Sequence, residues 1–526
     1  MSRSSSTRSG TLSNTIRSIL ASRRLSLADV SRASRSRFPG NRLHHILHNF
    51  YSAISRGRFT PNVYQVVTLS VLSGYRFTDW LKLFGFSLDH VSRFQILFPA
   101  LRTVELETRM YHPETEIAGV RDIDDPDFSP KLSPLSRWLT SAPARRSDAL
   151  PASAINRFRY VKIGLQDDFA FPDLLPGSIV RVGSRPAGLQ DIPVDKTPTQ
   201  ASYLVEHSRG LTCAPLCRPG RNRIVLCSRH LPYAPVELEE GTEAAVLGMA
   251  EVEIRPLNEA RQPVVSRTMG QFWTPAKLVP PSSVRTFGEF IRRARERAGL
   301  SFREASERTR TVAGALRDSR YYCSPGSLSD LETSRFAPRQ IHKSISICAV
   351  YFAGVAGLFS ASGLLLDPAG LEIPAKFLES PRKPAERRAK PSQFLHEIEE
   401  RFGEVPYFLH HALAPYFGLA DLSFRDVFWI GGTREFVHRH LSGALFLVVD
   451  RKQKKPRPSL SSPKWAQPLY VLQHRDGSYL FGFCSLQNNT LILRSAEKGL
   501  PPLMRLRRPF DAEVIGKVVG IVRKIA

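Results

Sequence analysis

Residues Thr286–Ser306, TFGEFIRRARERAGLSFREAS, repeat the pattern of Thr11–Ser31, TLSNTIRSILASRRLSLADVS, which lies 275 residues earlier in the chain. In each stretch apolar residues recur at the spacing of a helix and then stop. The pattern restarts at Ser26 in the first copy and at Ser301 in the second, each followed three residues later by an acid. That arrangement is typical of a helix N-terminus, because the serine oxygen accepts a bond from an early backbone N–H group. Each copy therefore predicts two consecutive helices.

The repeat extends beyond these two helices. A third helix is predicted at His48–Ser55 in the first copy and at Ser324–Thr333 in the second, and the first copy predicts a fourth at Asn62–Leu72. Between the second and third helices each copy holds about a dozen residues more than a usual helix-turn-helix turn. We interpret these residues as an extended second helix followed by a loop.

A second kind of segment is also present twice. Ser202–His207, SYLVEH, parallels Pro468–His474, PLYVLQH, and Ala245–Val252, AVLGMAEV, parallels Val514–Ile521, VIGKVVGI. Short alternating or apolar runs separated by turn residues are typical of β-strands. The chain therefore alternates two helical units with two mostly-β units.

The helical units resemble the Cro and phage-repressor type helix-turn-helix family, also called the xenobiotic-response-element family. GLSFREASERT, from Gly299, resembles its second helix, and SLSDLETSRFAP, from Ser327, resembles its recognition helix and the turn that follows. The resemblance covers residues 11–88 and 285–366. It implies that both units bind double-stranded DNA.

The mostly-β units resemble the C-terminal fold of LexA and phage repressors, through DDFAFPDLLPGSIVRV from Asp167 onward. In that family a serine nucleophile is activated by a lysine, and the chain cleaves itself. The corresponding positions here are Phe169 and Ala214 (or its neighbour Pro215) in the first copy and Glu435 and Gly482 in the second. The resemblance therefore implies pairing or sensing without proteolysis, and we expect no catalytic residue.

Together these patterns predict an α+β multidomain protein, in which two all-α helix-turn-helix domains alternate with two small mostly-β LexA-C-terminal-like domains. The predicted segments are a disordered basic tail (1–10), helix-turn-helix domain 1 (11–88), a linker (89–155), β domain 1 (156–257), a linker (258–284), helix-turn-helix domain 2 (285–366), a linker (367–395) and β domain 2 (396–526).

The charge of the chain agrees with a polyanionic partner. The 74 Lys and Arg residues exceed the 48 Asp and Glu residues, which gives a formal net charge of +26. Residues 1–58 alone hold 11 arginines and a single acid, Asp29. The residues predicted to contact DNA lie in and after the third helix of each copy. They are His48, Asn49, Tyr51, Ser52, Arg56 and Arg58 in the first copy, and Ser327, Ser329, Thr333, Arg335 and Arg339 in the second.

These units predict an intrachain pseudo-dimer that regulates transcription, with the two β domains paired within one chain and a weak homodimer at most. Two other functions stay open from the sequence: a self-cleaving LexA-like peptidase, and an interaction scaffold that no longer binds DNA. The absence of a signal peptide and of CxxC pairs favours a cytoplasmic, nucleoid-associated protein.

Other chemistry has weaker support in the sequence. We expect no cofactor, because no phosphate-binding loop or dinucleotide fingerprint is present. We also expect no metal, either at Cys213, Cys217, Cys227 and His230, whose spacing is unusual for zinc, or at His44, His45 and His48, which we expect to face DNA or solvent. Residues 344–366 are uncharged but interrupted by glycines, and predict two buried helices rather than a membrane span.

Overall fold

The computed structural model of this protein combines helices with antiparallel sheet, so the predicted α+β class is confirmed. It describes residues 4–22, 24–56, 59–73, 77–107, 117–120, 158–183, 192, 194–195, 197–257, 277, 286–334, 338–361, 364–366, 413–420, 427–429, 441, 443–456, 468–496 and 501–525. The chain forms two compact units. One comprises Met1–Phe98, Glu107–Ile155 and Pro280–Ile373, and the other comprises Pro99–Leu106, Asn156–Val279 and Pro374–Ala526.

The first unit contains the eleven longer helices of the described residues and is called here the helical unit. Its helices are α1 (Ser4–Ser22), α2 (Leu27–Arg37), α3 (Phe50–Ser55), α4 (Val63–Ser73), α5 (Phe77–Leu83), α6 (Asp89–Leu97), α7 (Phe287–Ala298), α8 (Phe302–Leu316), α9 (Pro325–Thr333), α10 (Ile341–Tyr351) and α11 (Val355–Ala361). A single 3-10 turn precedes the third helix of each copy, at Arg42–His44 and at Ser319–Tyr321.

The second unit, called here the β unit, is built on an antiparallel sheet. The strands of the chain are β1 (Val104–Glu105), β2 (Ile117–Val120), β3 (Phe158–Lys162), β4 (Ile179–Gly183), β5 (Ser202–His207), β6 (Gly210–Cys217), β7 (Arg223–Leu226), β8 (Val236–Glu239), β9 (Ala244–Pro256), β10 (Leu364–Leu366), β11 (Val427–Trp429), β12 (Ala444–Asp450), β13 (Leu469–His474), β14 (Tyr479–Gln487), β15 (Thr490–Ser495), β16 (Met504–Arg507) and β17 (Ala512–Lys524). Strands β2 and β10 pair with each other in the helical unit.

A buried hydroxyl occupies the same place in both helical copies. Ser34 on α2 and Thr309 on α8 each donate to the carbonyl three residues before them, at 2.9 and 2.8 Å. Each also accepts from a backbone N–H that precedes the third helix, that of Ile46 at 3.1 Å and that of Cys323 at 3.0 Å. The hydroxyl therefore fixes the loop between the second and third helices.

A second pair of equivalent bonds holds the 3-10 turns. Thr68 Oγ1 on α4 donates to the carbonyl of His44 at 3.0 Å, and Ser346 Oγ on α10 donates to that of Tyr321 at 2.6 Å. Both sets of bonds recur, so equivalent contacts hold the loop before the third helix in both copies. The second helix itself differs, because α2 has 11 residues and α8 has 15.

The two halves of the β unit have the same strand pairing. The first half follows the order β4-β9-β5-β6-β7-β8 and the second the order β12-β17-β13-β14-β15-β16. Strand β9 pairs antiparallel with β17, so that both halves lie in one sheet. Ile254 faces Val522 in this pair, and both are the eleventh residue of a 13-residue strand. The junction therefore has a pseudo-two-fold axis at these two residues.

Two predicted boundaries differ from the structure. Helix α1 begins at Ser4, inside the segment 1–10 predicted to be a disordered tail; serine is a weak helix former, so local propensity does not predict this. Helix α6 and strands β1 and β2 lie inside the predicted linker 89–155. Helix α6 is part of the fold because Val91, Phe94 and Ile96 are buried, and β1 and β2 pair with β3 and β10. The predicted linkers 258–284, apart from Lys277, and 367–395 lie outside the described residues.

The uncharged stretch 344–366 forms most of α10, then α11 and β10. Most of its described side chains are buried, as predicted for core helices. None of the helices in the described part of the chain has the length and hydropathy needed to span a membrane.

Candidate nucleic-acid interface

An open groove in the first helical copy lies along α2 and reaches the residues just before α3. It is lined by Ala28, Ser31, Arg32, Arg35, Ser36 and His48. A capping box starts α2: Ser26 Oγ accepts from the backbone N–H of Asp29 at 3.2 Å, and Asp29 Oδ2 accepts from that of Ser26 at 3.0 Å. The capping box fixes the first turn of α2, and Ser31 and Arg32 of the next turn line the groove.

The groove is electropositive because its charged side chains are cationic and exposed. The Arg32 side chain is 80% exposed. Its Nη1 lies 3.8 Å from Oδ1 of Asp29, one turn earlier on the same helix. Arg35 is also exposed, one helical turn further on. Exposed guanidinium groups bind phosphate oxygens through two parallel N–H donors. The sequence prediction did not name these two arginines, although their spacing of three on a predicted helix was a visible signal.

The predicted contacts of the first copy surround α3. His48, Asn49 and Arg56 are exposed, and Ser52 is half-buried. Asn49 is the N-cap residue of α3, but its side chain makes no capping bond. Ser52 Oγ donates to the carbonyl of Asn49 and Arg56 Nε to that of Ser52, both at 2.9 Å. The side chain of Tyr51 and all of Arg58 lie outside the described residues.

The predicted contacts of the second copy are less uniform. Ser329, Thr333 and Arg339 are exposed. Ser327 is half-buried and accepts from Lys343 Nζ at 3.0 Å, and Thr333 Oγ1 donates to the carbonyl of Asp330 at 2.9 Å. Arg335 lies outside the described residues.

An ion pair inside the helical unit fixes α9. Arg295 on α7 donates to both carboxylate oxygens of Glu332, from Nε at 2.6 Å and from Nη2 at 2.9 Å. The hydrogen bond to Glu332 raises the pKa of Arg295, which also stacks over the ring of Phe302 at 4.3 Å. A bidentate pair of this kind allows one geometry, so it sets the direction of α9. The equivalent of Arg295 in the first copy is Leu20, which cannot form this pair.

The three neighbouring histidines of the first copy do not converge on one site. His44 is buried, its ring stacks on Phe38 with centroids 4.0 Å apart, and its Nδ1 lies 3.1 Å from Thr68 Oγ1. Burial lowers the pKa of His44 to about 4. Only His48 faces the groove, so the expectation that all three histidines face DNA or solvent is wrong for His44.

The three cysteines and the histidine of the segment 213–230 also do not converge on one site. Cys217 Sγ lies 2.9 Å from Cys227 Sγ, whereas His230 lies beside Asp173, at 3.8 Å. Cys213 is buried in another apolar cluster. Among the residues that the structure describes, His, Cys, Asp and Glu side chains nowhere gather in a group of three suited to a metal ion.

The positions that correspond to a serine–lysine dyad are apolar in the first β half. Phe169 and Ala214 are fully buried in one apolar cluster, where Phe169 packs against the ring of Tyr233. In the second half Gly482 lies on β14, and a side chain there would overlap the carbonyl oxygen of Arg494. Glu435 lies outside the described residues.

Two buried carboxyl groups next to Phe169 were not predicted. Asp167 accepts from the Thr103 hydroxyl and from the backbone N–H of Cys213, and Asp168 accepts from the Tyr233 hydroxyl at 2.6 Å. Burial raises the pKa of both carboxyl groups, that of Asp167 to about 7. Their bonds join neighbouring segments of the β unit.

Comparison of the chain with protein-family models, with curated proteins and with solved structures finds no match.

Proposed function

We propose that this chain is a sequence-specific DNA-binding transcription regulator, in which two helix-turn-helix domains act together as an intrachain pseudo-dimer. The observation that carries the proposal is the groove of the first copy, where Arg32, Arg35 and His48 share an exposed surface. Cations placed along a helix beside a candidate recognition helix neutralise phosphates and release counterions, which provides most of the sequence-independent affinity.

In this proposal base contacts come from the ends of the two third helices. His48, Asn49 and Arg56 flank α3 and are exposed, and Ser329 and Thr333 are exposed on α9. Imidazole, amide and hydroxyl groups can donate to or accept from base edges, so they would provide sequence preference. The two sets of side chains differ, so the two half-sites would differ in sequence.

The β domains pair the two copies in this proposal and do not cleave a peptide. Support comes from the apolar residues Phe169 and Ala214, which can act neither as nucleophile nor as base. Further support is the antiparallel pairing of β9 with β17 within one chain. A LexA-like pair would then form without a second molecule.

The test is a binding titration of fluorescently labelled genomic duplexes with the full chain over a range of salt concentrations. We expect log Kd to change linearly with log salt concentration, and the slope of Arg32→Ala with Arg35→Ala to be smaller by about 2, or about 0.9 per lost phosphate contact. The matched control is Arg221→Ala with Arg223→Ala, which removes the same charge from exposed positions in the β unit. Equal slopes for the two double variants would contradict a role for the groove.

A further inference from the structure

The strands β8 and β16 end the sheet at its two opposite sides. Among the described strands, each pairs with a single neighbour, β8 with β7 and β16 with β15. They are the corresponding strands of the two β halves. Each also has a backbone N–H bonded to a carboxylate four residues on, Glu239 to Glu243 at 3.0 Å and Arg507 to Asp511 at 2.8 Å.

The exposed side chains of these two corresponding strands have opposite charges. On β8 they are Glu237 and Glu239, and on β16 they are Arg505 and Arg507. The residue after each strand continues the difference, because Glu240 follows β8 and Arg508 follows β16. Two glutamates with a spacing of two therefore match two arginines with the same spacing.

These charged side chains are exposed and so accessible to a second molecule. Glu237 is 56% exposed although it contacts Arg223, and Arg507 is 76% exposed although it contacts Asp511. Exposed pairs of this kind exchange partners readily, because each is worth little by itself. Phe510, which follows β16, is 69% exposed and adds apolar surface to the cationic side.

We propose that the β8 edge of one molecule binds the β16 edge of a second copy of this chain. The occupant is a second copy because both complementary surfaces belong to the same chain. The contact is head-to-tail, so it leaves one edge free at each end and extends into rows of molecules. Side chains form this contact, not a continuous backbone pairing. One backbone N–H of each edge strand already donates to a carboxylate of its own chain, Glu239 to Glu243 and Arg507 to Asp511. This contact does not depend on DNA binding.

The experiment measures the mass of the full chain without DNA by sedimentation velocity over a series of protein concentrations. At about 0.1 M salt, where the Debye length is about 10 Å, we expect the weight-average mass to rise above 59.0 kDa with concentration. At about 1 M salt, where that length is about 3 Å, the mass should return to that of one chain.

Charge reversal separates this contact from general aggregation. The variant Glu237→Arg with Glu239→Arg has two cationic edges, and Arg505→Glu with Arg507→Glu has two anionic edges. Each alone should stay at the mass of one chain, whereas their equimolar mixture should associate. The matched control, Arg451→Glu with Lys452→Glu, changes two exposed residues of the turn after β12 and should associate like the parent.

A variant with all four reversals restores complementarity and should also associate, which guards against loss of folding in one double variant. Thermal unfolding of every variant checks the fold. A parent chain that keeps the mass of one molecule at every concentration would overturn the proposal. So would double variants that associate like the parent, or a mixture that does not associate.

Discussion

His44 carries a titratable ring into the core of the helical unit. Because burial lowers its pKa to about 4, the folded chain holds it neutral, whereas the unfolded chain protonates it near pH 6.5. The unfolded state therefore binds more protons between these values, and stability is lost as the pH falls from about 6.5 to about 4. We expect a loss of up to about 3 kcal/mol from this ring, measured by hydrogen exchange of α4 amides.

A substitution that copies the second helical repeat checks this prediction. Tyr321 occupies the place of His44 there, so His44→Tyr should reduce the pH dependence while keeping a ring in the core. A smaller dependence should remain from His342, whose pKa burial lowers to about 4 as well. His48→Gln, which replaces an exposed histidine of the same copy, is the matched control. A profile that His44→Tyr does not alter would refute the assignment.

Cys217 and Cys227 are poised to form a disulfide, since their sulfur atoms lie 2.9 Å apart. Burial raises the pKa of Cys227 to about 12, so we expect slow oxidation at neutral pH and faster oxidation as the pH rises. Diamide accepts two electrons and two protons from the two thiols, and the chain should lose about 2 Da. Mass spectrometry of peptides should locate the bond. Cys217→Ser should abolish it and Cys484→Ser should not.

At the scale of elements, the junction of β9 with β17 depends on one buried anion. Glu253 Oε1 accepts from Leu175 N at 2.9 Å and from Ser178 Oγ at 2.7 Å, while Oε2 accepts from Arg523 Nε at 2.5 Å. Burial by itself raises the pKa of Glu253, but Arg255, Arg523 and these hydrogen bonds outweigh it and the pKa is lowered. The two arginines are equivalent residues of the two strands and share this one carboxylate.

Removing that charge should open the junction. Glu253→Gln keeps the shape of the side chain but leaves two buried guanidinium groups without an anion, which should cost about 3–5 kcal/mol. Hydrogen exchange along β9 and β17 measures the effect. Glu251→Gln, which changes a half-exposed partner of Arg181 on the same strand, should cost about 1 kcal/mol or less. Similar exchange in both variants would mean that Glu253 does not hold the strands together.

Periodic elements were predictable from the sequence because their signals are local. The serines that cap α2 and α8 and the apolar runs of β9 and β17 each lie in one short stretch. The extended second helix was predicted for both copies; α8 runs for 15 residues, whereas α2 ends at Arg37 after 11. These signals depend on neighbours a few residues apart, which a single sequence displays.

Elements that depend on distant partners were missed. From the sequence, helix α6 was assigned to a linker. In the structure its Gln95 Nε2 donates to the carbonyl of Cys348, in the second helical repeat of the same chain, at 2.9 Å. The burial of His44 depends in the same way on Phe38 and Thr68. Spacing within a helix does not reveal which side will be covered by a later segment, so the site residues were less predictable than the helices that carry them.

For the whole molecule, the proposed regulator should bind as one chain to two unlike half-sites. Selection of bound genomic DNA should yield an asymmetric consensus. Sedimentation of the complex formed by the Glu237→Arg, Glu239→Arg variant, which should not self-associate, should give one chain per site. Arg56→Ala should weaken one half-site and leave the sequence preference of the other unchanged. A perfect inverted repeat that binds two chains would contradict the intrachain pseudo-dimer.

The pseudo-two-fold axis at Ile254 and Val522 has a genetic consequence. A protein that pairs with an identical copy receives every mutation twice, once on each side of its axis. Here both sides are encoded in one reading frame, so a mutation alters one side and leaves the other as it was. The two halves can therefore change independently while always being produced in equal number, and the sharing of Glu253 by Arg255 and Arg523 is one such difference between the sides.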